Sequence, residues 1–361
     1  MRIRKAILTG GGRATRLHPI TTTINKHLLP LANKPMIFHA IEKAVEAGIE
    51  EIYINTNPGE DSLRQNIGDG GHWGIKIKFF EQTGGPQGIA HVVKQAERFI
   101  GDDPFMFYLS DNVLLGGVVD MVKEFNSGNH DCMLALSKVN DPERFGVPVF
   151  DDSGRLVDVW EKPDTPPNNY AVTGIYIYGP EVFFEAYENI EKSDRGEYEI
   201  SSIHSHFLKT GKKVGYKEIT GWWKDTGKPA DLLIASKLLL DKFDFNNNQA
   251  QNYDNCDIKG NVEIGIGTKI AENVKIIGPV IIGANCVLED CTIGPYVSLG
   301  QGSTVKKAKI NDSIILENAN IDCEKRIFES LIGKGANLVK RSQTDVEGHK
   351  MIIGDKTIIE I

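Results

Sequence analysis

A six-residue repeat in the last third of the chain constrains the fold more than any other feature of the sequence. Apolar residues recur at every sixth position, the register slips by one residue, and the repeat resumes; its members are Ile264, Ile270, Ile276, Ile282, Leu288, Ile293, Leu299 and Val305. A period of six is neither helical nor the alternation of a single strand. It is the hexapeptide signature of a parallel β-helix, in which each turn stacks one apolar residue on each face. We therefore expect a left-handed β-helix, clearest to about residue 322, with a run of short hairpins as the alternative.

The first 240 residues follow a different pattern. Short apolar runs alternate with helical periodicity, which indicates an α/β fold with a Rossmann-like, mixed and mostly parallel sheet between helices. Predicted strands are Ala6–Leu8, Glu51–Asn55, Phe105–Leu109, Cys132–Lys138, Gly146–Phe150, Leu156–Trp160 and Thr173–Tyr178, and predicted helices are Pro35–Ala47, Ile89–Phe99 and Pro229–Asp241. The polar, Asn-rich stretch 244–252 predicts a linker between a domain over 1–243 and the repeat domain over 253–361.

Composition narrows the class of protein. A chain of 361 residues with 40% hydrophobic and 25% charged residues is long enough for two globular domains. The net charge of −8 argues against nucleic-acid partners. Five scattered cysteines without a C-x-x-C pair suggest reduced thiols, and we expect a cytoplasmic protein without a membrane segment or signal peptide.

Three consecutive glycines, Gly10 to Gly12, follow the first predicted strand. Such backbone freedom suits a loop whose N–H groups face a phosphate, and Arg16 adds a forked positive charge at its end. An ordinary strand-to-helix turn is the alternative. The loop lacks the Gly-Lys-Ser/Thr end of a P-loop and the third glycine of a dinucleotide-binding loop.

Other polar residues stand out by position. Lys26 lies in a loop with little other charge, and Asp111 follows the strand Phe105–Leu109, a place typical of a Mg²⁺ ligand. Asp225 would be a second carboxylate ligand. A solvated lysine and turn-capping aspartates are the alternatives.

A second group suits a sugar phosphate and a base. Glu161 and Lys162 could hold a sugar hydroxyl and a phosphate, unless they form an exposed ion pair. Glu199 begins a predicted helix, where capping is the alternative. Gln82 offers both a donor and an acceptor to a pyrimidine, although an exposed glutamine is common.

Taken in order, these motifs resemble those of the sugar-1-phosphate nucleotidylyltransferases, and in particular the long form with a C-terminal hexapeptide β-helix. The resemblance covers almost the whole chain. Its motifs lie at Gly11–Pro19, Asn25–Pro30, Leu109–Asn112, Phe145–Val147, Glu161–Pro163, Val172–Tyr176, Gly196–Ile200, Trp223–Gly227 and Ile352–Lys356.

The resemblance implies a role for each motif. Arg16, Lys26 and Lys162 would be catalytic, and Mg²⁺ would bind Asp111 and Asp225. The nucleotide would contact Gly11, Gly12, Arg13, Ala14, Thr15, Arg16, Gln82, Gly88 and Asp111, and the sugar phosphate would contact Gly146, Glu161, Lys162, Val172 and Glu199.

The chain departs from the family pattern at several positions. Ala14 replaces a loop glycine, Asn25 a proline and Ser110 a glycine, while the stretch Thr83–Gln87 is one residue longer than usual. The phosphate and metal groups are intact. The longer base-binding loop leaves the choice between dTTP and UTP open.

The resemblance implies that dTTP and glucose 1-phosphate give dTDP-glucose and pyrophosphate by in-line attack. The substrates would be small molecules, and the β-helix would be a structural or oligomerisation module in a homo-oligomer. A bifunctional acyltransferase is one alternative, although His349 is the only histidine beyond residue 206. A non-catalytic sugar-nucleotide sensor is another, and it would be expected to have lost some of the charged site residues.

Overall fold

A computed structural model of the chain describes residues 2–12, 14–219, 221–245, 256–340, 351 and 356–360. The α-helices are α1 Met36–Glu46, α2 Ser62–Ile67, α3 Ile89–Gln95, α4 Glu97–Ile100, α5 Val119–Asn126, α6 Val182–Tyr187, α7 Ile200–Lys209 and α8 Pro229–Lys242. The strands before residue 246 are β1 Lys5–Thr9, β2 Pro30–Leu31, β3 Lys34–Pro35, β4 Glu51–Thr56, β5 Lys76–Glu81, β6 Phe105–Tyr108, β7 Asn112–Leu114, β8 Cys132–Lys138, β9 Gly146–Phe150, β10 Leu156–Glu161, β11 Tyr170–Tyr178, β12 Val214–Glu218 and β13 Trp223–Asp225.

The strands after residue 255 are short and regularly spaced. They are β14 Cys256–Lys259, β15 Val262–Ile264, β16 Lys269–Ile270, β17 Val274–Ile277, β18 Val280–Ile282, β19 Val287–Glu289, β20 Thr292–Ile293, β21 Val297–Leu299, β22 Thr304–Lys306, β23 Lys309–Asn311, β24 Ser313–Ile315, β25 Asn320–Asp322, β26 Arg326–Phe328, β27 Leu331–Ile332 and β28 Asn337–Val339.

The chain folds into two compact units. The first comprises Met1–Arg13 and Ile37–Asp225, and the second comprises Ala14–Met36 and Thr226–Ile361. Most of the predicted linker, residues 246–252, lies outside the described residues, so the predicted boundary at 244–252 remains a prediction.

The first unit is built on one mixed sheet. Strands β5, β4, β1 and β6 lie side by side and run parallel, and β11 then pairs antiparallel with β6. Strands β9 and β10 extend the sheet beyond β11, and β8 and β12 also join it through β11. Aromatic side chains such as Phe105, Phe107 and Tyr178 fill the core against Phe183 and Phe207. The carboxyl ends of the parallel strands therefore meet at one edge, where ligands bind in sheets of this kind.

The predicted α/β fold is confirmed, with one wrong helix. The expected helix over Ile89–Phe99 is two helices, because the chain tightens at Ala96, whose N–H bonds to the carbonyl of Val93 three residues back. The other predicted helices and strands are present, with ends shifted by a few residues at most. The sequence analysis did not predict strands β2, β3, β5, β7, β12 and β13 or helices α2, α5 and α6.

In the second unit the repeat forms a parallel β-helix with three faces, consistent with the predicted left-handed form. Each face is a sheet of five parallel strands, and the inward residues stack, as Ile276, Ile293 and Ile310 do on one face. The stack continues past residue 322 to β28, although the sequence pattern becomes irregular there. Large apolar residues on exposed positions, Phe328 and Val339, obscure the repeat there, while Ile327 and Leu338 continue the inward stack.

None of the helices in the described part of the chain combines the length and the apolar character needed to cross a bilayer.

Candidate functional site

The glycine loop after β1, Gly10 to Gly12, is hydrogen-bonded to two asparagines at the end of β4. Gly10 N donates to Asn55 Oδ1 at 3.1 Å, and Gly12 N donates to Asn57 Oδ1 at 2.9 Å. A Cβ on Gly11 would lie 2.7 Å from Asn55 Nδ2, so a larger residue would push the loop off β4. The glycines thus allow close packing, and their contact with phosphate remains a prediction.

The predicted base-contacting residues lie on the neighbouring loop after β5. Gln82 Oε1 lies 3.4 Å from Asn55 Nδ2, which brings Gln82 beside the glycine loop. Gly88 has φ of +94°, and a Cβ there would lie 2.5 Å from the Tyr198 carbonyl oxygen. Tyr198 N also donates to Gln87 O at 2.8 Å. The loop over 82–88 is therefore held between β5 and the segment before α7.

The two predicted metal ligands are brought together by a short antiparallel pair, β7 with β13. Asp225 lies opposite Asn112, the residue that follows Asp111. Asn112 orders both strands, because its Nδ2 donates to Asp111 Oδ1 at 2.9 Å while its Oδ1 accepts from Trp223 Nε1 at 2.9 Å and Gly174 N at 3.2 Å. Carboxylates on two adjoining segments would suit a divalent cation, since such ions prefer oxygen ligands. Among the described residues no cluster of three metal-ligating side chains occurs.

The predicted sugar-phosphate residues converge on β9. Gly146 is paired with Glu161 on β10 and with Val172 on β11. A Cβ on Gly146 would lie 3.7 Å from Glu161 Oε2, so the glycine leaves space beside that carboxylate. Lys162 turns back with φ of +45°, and its Nζ lies 3.1 Å from Glu161 Oε1. The structure therefore groups these four residues.

Arg195 is a cation that the sequence analysis missed. Its Nη2 lies 2.7 Å from Glu199 Oε1 and 3.4 Å from Glu161 Oε1, which joins Glu199 to the sugar-phosphate group. Burial is the largest single influence and lowers the pKa of Arg195, but the hydrogen bond to Glu199 and the nearby negative charges, Glu161 among them, together outweigh it, so that the pKa is raised. Glu199 also accepts from Ser193 Oγ at 2.7 Å and makes no side-chain cap of α7. Arg195 could have been recognised as a candidate site residue from its position just before the Gly196–Ile200 motif.

Arg16 and Lys26 belong to the second unit. Arg16 lies in a 3₁₀ turn over Thr15–Leu17 that follows Ala14, whose φ of 43° is left-handed. A glycine adopts this conformation freely, whereas alanine does so at a cost of about 1–2 kcal/mol. The family's glycine at this position would therefore form the turn without that cost. The exposed guanidinium of Arg16 packs against Gly227. Arg13 lies outside the described residues.

Lys26 begins a second 3₁₀ turn, Lys26–Leu28, before the β2–β3 hairpin. Asn25, the residue in place of the family's proline, caps this turn by accepting from His27 N at 2.8 Å. A cap can replace the fixed backbone of proline at such a position. The departure at Asn25 therefore preserves the local structure that carries Lys26.

Comparisons with known proteins indicate the family of the chain. The profile of the family described as nucleotidyl transferase matches residues 5–242. The chain is 38% identical over 359 residues to the low-salt glycan biosynthesis nucleotidyltransferase Agl11 of Haloferax volcanii, which covers 99% of this chain and 100% of that protein. It is 36% identical to a glucose-1-phosphate thymidylyltransferase of Streptomyces antibioticus, over 99% of both chains. A crystal structure of a candidate glucose-1-phosphate thymidylyltransferase from Bacillus anthracis, in complex with a sucrose, aligns with a TM-score of 0.62 and 35% identity, covering 67% of this chain and 97% of that one.

Proposed function

Because this chain belongs to the nucleotidyl transferase family and is a sugar-1-phosphate nucleotidylyltransferase, we propose that it makes dTDP-glucose from dTTP and glucose 1-phosphate. The full-length likeness to a glucose-1-phosphate thymidylyltransferase supports this choice of substrates. The similar likeness to Agl11, whose name states no substrate, leaves room for another sugar phosphate.

The observation that carries the proposal is the pairing of Asp225 on β13 with Asn112, the first residue of β7, which directly follows Asp111. These carboxylates would hold Mg²⁺, whose charge offsets that of the triphosphate and of the leaving pyrophosphate. The amide of Asn112 holds one of these carboxylates in place, since its Nδ2 donates to Asp111 Oδ1 at 2.9 Å.

The transfer needs no covalent enzyme intermediate. A phosphate oxygen of glucose 1-phosphate attacks the α-phosphorus of dTTP, a new P–O bond forms, and the bond to the β-phosphate oxygen breaks to release pyrophosphate. Lys162 and Arg195 would hold the sugar phosphate, and Arg16 and Lys26 would neutralise the nucleotide phosphates. Catalysis would come from positioning and charge stabilisation.

Gln82 and Gly88 would contact the base. A glutamine amide can pair with a pyrimidine edge. Gly88 lets the same loop pass close to Tyr198, since a Cβ there would lie 2.5 Å from the Tyr198 carbonyl oxygen. Neither feature rejects uracil, so UTP is the alternative substrate.

The test is pyrophosphate release in the presence of Mg²⁺, with dTTP, UTP, CTP and ATP each crossed with glucose 1-phosphate and its amino and epimeric analogues. We expect the highest kcat/KM for dTTP with glucose 1-phosphate. A higher value for UTP would change the assigned nucleotide, and no release with any pair would overturn the enzymatic assignment.

We also propose that the protein works in the cytoplasm and forms a homo-oligomer. All five cysteines are free thiols, which suits the reducing cytoplasm. The β-helix exposes large apolar side chains, including Phe328 and Val339, which suits self-association into a homo-oligomer. Light scattering of the purified chain tests the second proposal, and a monomer at micromolar concentration would contradict it. His349, on which acyl transfer would depend, lies outside the described residues.

A further inference from the structure

The tight turn between β2 and β3 is bonded to the β-helix. The Nδ2 of Asn33 donates to the carbonyl oxygen of Leu299 at 2.9 Å, and the same oxygen accepts from Gly283 N in the neighbouring β-helix turn at 2.7 Å. Next to it, Ala32 N donates to Ser236 Oγ on α8 at 3.2 Å. The turn is thus attached both to the β-helix and to the helix that packs with it.

The backbone of this turn has an unfavourable conformation that neighbouring residues must hold in place. Ala32 and Asn33 both have left-handed φ, 48° and 59°. Asparagine tolerates this region, but alanine does not favour it. Ala32 is nevertheless buried, packed with Leu240, Phe245 and Ile281 of the second unit. A strained and buried turn persists only where its neighbours fix it.

The same hairpin is connected by backbone hydrogen bonds to Lys26. Leu29 N donates to Lys26 O at 3.0 Å, and Met36 N, just after β3, donates to Leu29 O at 3.0 Å. A continuous path of hydrogen bonds therefore runs from the Lys26 turn through the hairpin to Leu299. Movement of the hairpin on the β-helix would move the backbone that carries Lys26.

We propose that the β-helix is part of the nucleotide-binding apparatus and that Asn33 is its positioning residue, holding Lys26 through the hairpin. The kinetic part of this proposal rests on the proposed function of Lys26, whereas the structural part does not. The β-helix would then act in catalysis as well as in assembly.

The test is the substitution Asn33→Gly in the full-length chain. Glycine keeps the left-handed turn and removes only the amide that bonds to Leu299. We expect the Leu28 and Leu29 amides to exchange with solvent about fivefold faster, because a hydrogen bond that restrains them is lost. We also expect KM for dTTP to rise about fivefold, with kcat and KM for glucose 1-phosphate changed by less than twofold. Exchange and KM like those of the wild type would overturn the proposal.

Asn318→Gly is the matched control. Asn318 is also a left-handed asparagine of the β-helix unit, with φ of 57°, and it lies outside the hairpin. We expect it to leave both measurements unchanged; an equal effect would mean general loosening of the β-helix and would overturn the role of Asn33. If the wild-type chain turned over none of the substrates, the proposed function would fail, and hydrogen exchange would still decide whether Asn33 holds the Lys26 turn.

Discussion

The guanidinium of Arg16 lies so close to the backbone of Gly227 that a Cβ atom on Gly227 would be 3.1 Å from both terminal nitrogens of Arg16. Distances of this length are tighter than a methyl group normally makes. Arg16 is far from Gly227 in sequence, yet the missing side chain of the glycine leaves room for its guanidinium.

We predict that Gly227→Ala shifts the Arg16 guanidinium by a few tenths of an ångström and lowers kcat/KM for nucleotide severalfold, because catalysis depends on the position of such a charge. Steady-state pyrophosphate release at varied nucleotide concentration measures this kcat/KM. Gly333→Ala is the control, since a Cβ there meets nothing within 4 Å. Equal activity of the two variants would show that the position of Arg16 does not matter.

Asp111→Asn and Asp225→Asn should each reduce turnover by at least about 10³-fold at saturating Mg²⁺, because each removes half of the carboxylate pair. Circular dichroism should show an intact fold. Asp120→Asn, on the exposed surface of α5, should behave as the wild type. If either site variant kept wild-type activity over a Mg²⁺ titration, that residue would not be a metal ligand.

Asn112→Ala should destabilise the first unit by about 2–4 kcal/mol, because Trp223 Nε1 and Gly174 N lose their buried acceptor. Urea unfolding measures the free energy. Asn66→Ala, whose amide donates to Ser62 O at the exposed surface, should cost less than about 1 kcal/mol. Equal losses in the two variants would refute the ordering role of Asn112.

His204 should make the chain sensitive to acid. Burial lowers its pKa to about 3, and its Nε2 lies 2.9 Å from the Tyr178 hydroxyl. The unfolded chain takes up this proton near pH 6.5 and the folded chain does not, so stability is full above pH 6.5 and decreases as the pH falls towards 3. At pH 5 the loss should be about 2 kcal/mol.

Urea unfolding between pH 7 and 5 tests this prediction when the wild type is compared with His204→Gln. The variant should lose the part of the pH dependence that comes from the imidazole. The same slope of stability against pH in both proteins would contradict the assignment.

The periodic parts of the fold could be predicted from the sequence, because apolar residues repeat wherever one face is buried. This is how Ile276 and Ile293 indicated a β-helix and how Cys132–Lys138 was identified as a strand. Strand β5 was missed although Lys76–Phe79 alternates polar and apolar residues as a half-buried strand does; the alternation is only four residues long.

The site was predictable only as separate motifs. Asp225 lies opposite Asn112 because β13 pairs with β7. These strands are distant in the chain, and neither sequence contains a pattern that predicts the other as its partner. Arg195 lies four residues before Glu199 and could have been noticed from the sequence, whereas its contact with Glu161 joins distant segments and could not. The hydrogen bond from Asn33 to Leu299 likewise depends on tertiary packing rather than on any local pattern.

The most direct test of the central claim follows the α-phosphate of the nucleotide. The chain is incubated with Mg²⁺, glucose 1-phosphate and dTTP labelled at the α-phosphorus, and the products are separated. We predict that the label appears in dTDP-glucose, together with one unlabelled pyrophosphate per sugar nucleotide, and that added pyrophosphate returns it to dTTP. Label that stays in dTTP, or that is released as dTMP without joining the sugar, would contradict nucleotidylyl transfer.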